Sequence, residues 1–337
     1  MSIRRRERET LRDLGRRVAE IAADPVQEEK AAAWRRHNAL AAGRPRVLLF
    51  PEGSWRELLP PERLVCEDPA ARWYERMLRQ RIYTWEHLRD DNVISGALPS
   101  PVVCRNSGWG IEPQQTRPEE PTGAAHFDPV ICSEADAEKI RVPRVTVDHE
   151  ATERHFRRVS EWFDGVLPVV KQGNTHFGFA VIDLFARWRG LDQLFLDMVD
   201  RPAWLHGVLD RLTTGMLTML DDLEAGGALS LNNGAHYCGS GGVGFTDELP
   251  AADFDGERVR PEDMWGFATT QIFSEVSPSM HEEFALRYEK RWLSRFGLNA
   301  YGCCEPLHHK LEGVFEIPRL RRLSMSPWVD VSVAAER

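Results

Sequence analysis

The run Tyr301-Gly302-Cys303-Cys304-Glu305-Pro306-Leu307-His308-His309 sets two adjacent thiols, a carboxylate and two imidazoles side by side. Thiolate and imidazole are ligands of soft and borderline metal ions, and imidazole and carboxylate also move protons near neutral pH. A second run, Asn232-Asn233-Gly234-Ala235-His236-Tyr237-Cys238-Gly239, carries a His-x-Cys pair. Residues two apart on extended backbone point to one side, so His236 and Cys238 form a two-ligand fragment. With Cys304 they supply three protein ligands and an open position, the donor set of a catalytic zinc centre. The plainer alternatives are a buried structural cysteine and a glycine-rich loop whose polar groups meet solvent or substrate.

The same runs supply other candidates. Cys304, Glu305 and His308 are the expected catalytic residues. Pro306 opens what reads as a helix, whose N-terminal amides and dipole favour an anion, so Glu305 complements that end while His308 or His309 serves proton transfer. Neighbours on a strand face opposite ways, which turns Cys303 into packing if Cys304 faces the site. Asn232 and Asn233 follow an apolar run and are candidate hydrogen-bond donors to substrate. Trp109, His126 and His176, on loops after presumed strands, are candidate substrate contacts. The run Gly239-Ser240-Gly241-Gly242-Val243-Gly244 lacks the lysine of a phosphate loop, and no Gly-x-Ser-x-Gly elbow is present.

These groups need elements to hold them. Residues 4–23 and 26–42 read as helices broken at Asp24-Pro25. Asp68-Pro69 and Val147-Asp148 start helices, the second running through Phe163; others cover 179–199 with a break at Gly190, Pro202 to Glu224, Pro278 to Phe296 and 306–316. Strands are expected near 47–50, 101–104, 166–170, 228–231, 271–276, 298–303 and 322–326. Between Asn106 and about Pro129 lies a long polar, proline-containing region, read as an ordered active-site loop. Strands alternating with helices of this length predict parallel α/β architecture, with the strand C-terminal ends converging on one site. The expected fold is a (βα)8 TIM-type barrel, residues 45–337, preceded by an N-terminal helical extension, residues 1–44.

Composition narrows the function. The 337 residues carry a net charge of -9, which disfavours nucleic acid as a partner. The one basic run, Arg4-Arg5-Arg6 with Arg8, is interleaved with Glu7 and Glu9, as on a solvated helix face. No apolar run reaches the length of a membrane span, and six cysteines in a chain this long are no disulfide scaffold, so a cytoplasmic location is expected. Most of the eleven tryptophans fall in helical patterns and read as packing residues.

The segment Gly178–Pro202, with Arg189-Gly190-Leu191 and Asp200-Arg201-Pro202, resembles the central region of the uroporphyrinogen decarboxylase superfamily. The stretch from Leu298 to Asp330 resembles its methyltransferase branch, where a strand ends in His-x-Cys-Gly, a helix follows, and the next strand leads to an Asp-containing loop. Cys304 matches the motif cysteine, and Gly302 stands where the histidine would be. The arginine-rich substrate signature of the decarboxylases has no counterpart; Phe50-Pro51-Glu52-Gly53-Ser54-Trp55 stands there instead.

The resemblance implies methyl transfer between a small methylated substrate or thiol and a corrinoid protein, with zinc polarising the thiol. The corrinoid would sit on the partner. The alternatives are a metal-free decarboxylase of a carboxylated, porphyrinogen-like substrate, and an inactive barrel that binds a partner. Expected partners are a small molecule and a corrinoid protein, with a homodimer allowed. Superfamily members continue beyond the equivalent of residue 337, so the sequence is expected to be a truncated barrel that lacks its last strand.

Overall fold

The computed structural model describes residues 3–117 and 123–336. The chain is mixed α/β. Four parallel strands form the largest sheet, in the order Leu320–Leu323, Leu298–Tyr301, Trp265–Ala268 and Gly178–Phe179. Leu98–Pro101 pairs in parallel with Val169–Gln172. Asn174 continues that strand and bridges in parallel to Leu229. From there Asn232 reaches the next strand, its amide nitrogen donating to Trp265 O at 3.0 Å and its side-chain oxygen accepting from Trp265 N at 2.8 Å. Gly178–Phe179, further along the same segment as Asn174, pairs directly with Trp265–Ala268, so this one stretch touches both the Leu229 bridge and the main sheet.

Two expected strands are absent, and the one expected at 228–231 is reduced to the single bridge at Leu229. Val47–Phe50 is an exposed coil segment, tied by Val47 N and Leu49 N to the carboxylates of Asp91 and Asp90. An apolar run becomes a strand only where a neighbour takes its backbone groups, and here two aspartates do. The strand expected at 271–276 lies at Trp265–Ala268, and Gln271–Phe273 is a 3-10 turn. Cys104–Asn106 pairs antiparallel with Val145–Val147, and Gln114–Thr116 with His126–Asp128, so the region expected as a loop is partly a hairpin. Residues 118–122 of that region lie outside the described residues.

Helix starts follow the local signals. Pro69–Tyr83 begins behind Asp68, whose carboxylate accepts from Ala70 N and Ala71 N. His149–Phe163 begins behind Asp148. The break at Gly190, φ 83°, separates Val181–Arg189 from Leu191–Asp200, and Pro202–Ala225 follows. Arg5–Ala22 is not free-standing: Leu11, Val18 and Ile21 enter one core with Tyr74, Leu78, Trp162 and Phe163. The larger core joins Phe179, Phe185, Trp188, Phe273, Trp292 and Tyr301. Trp34, Trp162, Trp188 and Trp292 are buried as packing residues, whereas Trp73 is half exposed. Among the described residues no helix is long and apolar enough to cross a membrane.

Candidate functional site

All four strands of the main sheet run the same way, so the segments after Phe179, Ala268, Tyr301 and Leu323 meet at one edge. Asp183, Thr269, Thr270 and Glu305 lie just beyond these strand ends. Asp183 lines a cleft of about 710 Å³ together with His126, Phe127, Arg187, Gln193 and Gln271. Both carboxylate oxygens of Asp183 are shut off from solvent without a well-formed hydrogen bond. Burial pushes its pKa up to about 6 and Glu305 adds to the rise; the Ile272 and Gln271 amides and the Arg187 guanidinium pull the other way without compensating.

Behind Asp183 is a buried polar network. Glu305 is fully buried and accepts from Thr269 Oγ1 at 3.0 Å and from Cys303 N at 2.9 Å. Glu289 accepts from Thr270 Oγ1 at 2.7 Å and from the Tyr301 hydroxyl at 2.8 Å. Its pKa is pushed up to about 8, chiefly by burial, with Glu305 and Asp183 adding to the rise. The Tyr301 hydroxyl also lies 3.0 Å from His281 Nε2. Burial, then Lys310 and Lys290, push His281 down to about 3, so its imidazole is neutral. Lys310 donates from Nζ to the carbonyls of Phe273 and Ser274, and burial lowers its pKa. Burial therefore makes both Asp183 and Glu289 hold their protons to higher pH than ordinary carboxyls do.

The residues expected to form a zinc centre are arranged otherwise. The Cys238 thiol is buried, lies 3.4 Å from Asn232 O and 3.5 Å from His236 O, and is pushed up to about 12 by burial. It packs with Leu249, Trp265 and Leu298 as a small apolar side chain. His236 has Nε2 at 3.1 Å from Gln172 Nε2, while Nδ1 is buried without a partner, and burial lowers its pKa. Among the described residues no three His, Cys, Asp or Glu side chains are grouped so as to hold a metal ion. His236, Cys238 and Cys304 therefore do not fit a three-ligand zinc centre as they stand.

Cys303 and Cys304 also differ from expectation. The strand ends at Tyr301, and Gly302, φ 85°, turns the chain. Both cysteines lie on the bend beyond it, so strand alternation does not apply, and their sulfurs are 3.5 Å apart. Cys304 is exposed, and Cys303 is partly buried and not packed away. The contact with Cys303 raises the Cys304 pKa first, then burial, Glu305 and Glu52, which disfavours a thiolate nucleophile. In place of a helix at Pro306 there is a 3-10 turn, Leu307–His309, then the short helix Leu311–Val314. The His308 and His309 rings lie tilted against each other with centres 3.7 Å apart, and His308 Nδ1 is buried without a hydrogen-bond partner.

Several substrate candidates have structural partners. Asn232 is buried, and besides Trp265 it donates to Thr175 O at 3.0 Å. Asn233 donates to Leu249 O at 2.7 Å. Trp109 stacks edge-on with Trp188 and covers Gly215, whose added Cβ would lie 2.3 Å from its ring. His176 lies near the rings of Tyr237 and Phe267. Only His126 is brought to the Asp183 cleft.

Sequence reading passed over Asp183, Arg187, His281, Glu289 and Lys310. A signal existed at two of them. Asp183 interrupts the run Val181-Ile182-Asp183-Leu184-Phe185, and Glu289 falls four residues after Ala285 and four before Leu293 on a buried helix face. No protein-family model, curated protein or solved structure matches the chain. Fold and site together describe an α/β protein with a buried carboxyl cluster opening onto a cleft at the C-terminal edge of its parallel sheet.

Proposed function

We propose that this chain is a (βα)-barrel-type enzyme that carries out proton-transfer chemistry, decarboxylation first among the candidates, on a small carboxylated ligand in the Asp183 cleft. The parallel pairing of these strands, with helices between them, supports the barrel reading. The observation that carries the function is Asp183 itself: a buried carboxyl with a pKa of about 6, lining a ligand-sized cleft. Loss of carbon dioxide leaves a carbanion that must be protonated, and a carboxyl that keeps its proton up to about pH 6 is a suitable donor in mildly acidic solution. Arg187 lines the same cleft and gives an anionic ligand its counter-charge. Methyl transfer to or from a corrinoid partner has less support, because it needs a polarised thiol. Cys304 is arranged to keep its proton, and the zinc donor set is not assembled.

The test is a panel of small mono- and dicarboxylic acids, screened by thermal shift for binding and by carbon dioxide release for turnover. A ligand that stabilises the wild type should also stabilise Asp183→Asn, while turnover in that variant falls by about 100-fold or more. Wild-type turnover should fall as pH rises through about 6, where the donor loses its proton. Turnover of Asp183→Asn equal to wild type, or thiol-dependent methyl transfer by the wild type, would overturn the reading.

A further inference from the structure

The pair Cys303–Cys304 is a prearranged dithiol. Gly302 cannot be replaced without strain, since φ is 85° and an added Cβ would lie 2.5 Å from Leu307 Cδ1. Beyond it Cys303 N donates to the buried Glu305 carboxylate, and Cys303 O accepts from Ser324 Oγ at 3.0 Å. The Cys303 backbone is therefore pinned at both its amide and its carbonyl. Both thiols are free, one exposed and one partly buried, with their sulfurs 3.5 Å apart.

Two products are open to such a pair, and geometry separates them. A disulfide needs a bond of about 2.05 Å, so the sulfurs would have to close by about 1.5 Å. Consecutive Cα atoms are about 3.8 Å apart, shorter than the roughly 4.4 Å minimum of unstrained disulfides. A single thiophilic atom asks for less. Bonds of about 2.3 Å, the length of zinc–sulfur bonds, at an angle of roughly 100° hold two sulfurs about 3.5 Å apart. The sulfurs already stand at that separation.

We propose that Cys303 and Cys304 form a chelating site for trivalent arsenicals, closing on one arsenic through two As–S bonds. The step is a condensation without net oxidation. The As=O bond of an organic arsenoxide is replaced by two As–S bonds, and both thiol protons leave with the oxygen as water. The arsenoxide is neutral, so Glu52 and Glu305 near Cys304 do not repel it as they would an anionic reactant. The site is independent of the acid–base reading of the Asp183 cleft.

Phenylarsine oxide is the probe. Intact-mass analysis should find one arsenical per wild-type chain, less one water. The adduct should survive excess 2-mercaptoethanol and be stripped by 2,3-dimercaptopropanol, because only a dithiol competes with a chelate. Cys304→Ser, at an exposed position, and Cys303→Ser should each drop retention to background, while Cys104→Ser/Cys132→Ser keeps it. Retention in either single variant at Cys303 or Cys304, or reversal of the wild-type adduct by 2-mercaptoethanol alone, would overturn the proposal.

Discussion

Replacing Glu289 with Gln removes a titration that works against folding as pH rises. Glu289 is fully buried, and its pKa is pushed from an ordinary 4.5 up to about 8. The folded chain therefore holds this proton more tightly than the unfolded chain does. Between the two values the folded state binds more protons, so stability falls with pH, by at most about 1.4 kcal/mol per unit. The favourable neutral form is fully present below about pH 4.5, and the penalty is complete above about pH 8. Between about pH 5.5 and pH 8.5 the loss integrates to about 3 kcal/mol. Glutamine keeps the shape and an acceptor for Thr270 or Tyr301, but it has no charge to gain. Urea unfolding of both proteins at the two pH values reads the difference directly. At the lower pH the variant should be within about 1 kcal/mol of wild type, the worth of one rearranged hydrogen bond. At the higher pH its stability relative to wild type should have improved by about 3 kcal/mol. Equal pH slopes in the two proteins, or a variant that weakens faster with rising pH, would refute the reasoning.

Two further substitutions test structural roles assigned above. Asn232→Ala removes the side chain that joins Thr175 O and both backbone groups of Trp265, and should cost about 2–4 kcal/mol in chemical denaturation; Asn233→Ala, with one bond to Leu249 O, should cost about 1 kcal/mol or less. A loss at Asn232 no larger than at Asn233 would argue against the strap. Gly215→Ala sets helix propensity, worth about 1 kcal/mol in favour of Ala, against a Cβ 2.3 Å from the Trp109 ring. Overpacking, at about 1–3 kcal/mol, should win, and a raised melting temperature would show that Trp109 yields and is not locked in packing.

Local chemistry in the sequence determined where several of the helices begin and break. Asp68-Pro69, Asp148, Gly190 and Pro202 act within a turn of themselves through caps, a fixed proline φ and a left-handed glycine, so their effects need no distant partner. Alternation of those helices with apolar runs was enough for the α/β class. Strand positions were less legible, because a short strand exists only where another strand takes its hydrogen bonds. Val47–Phe50 is apolar enough but meets aspartates, whereas Trp265-Gly266-Phe267-Ala268, with no alternation to mark it, finds partners on both sides. The candidate site depended most on tertiary structure. Asp183, Glu289 and Glu305 look like ordinary charged residues one at a time; burial beside one another raises the pKa values of Asp183 and Glu289. Cys303 and Cys304 were conspicuous from the start, yet whether they diverge or converge hung on where the strand released the chain. Gly302 turned it one residue before them, at a φ of 85° that side chains rarely adopt.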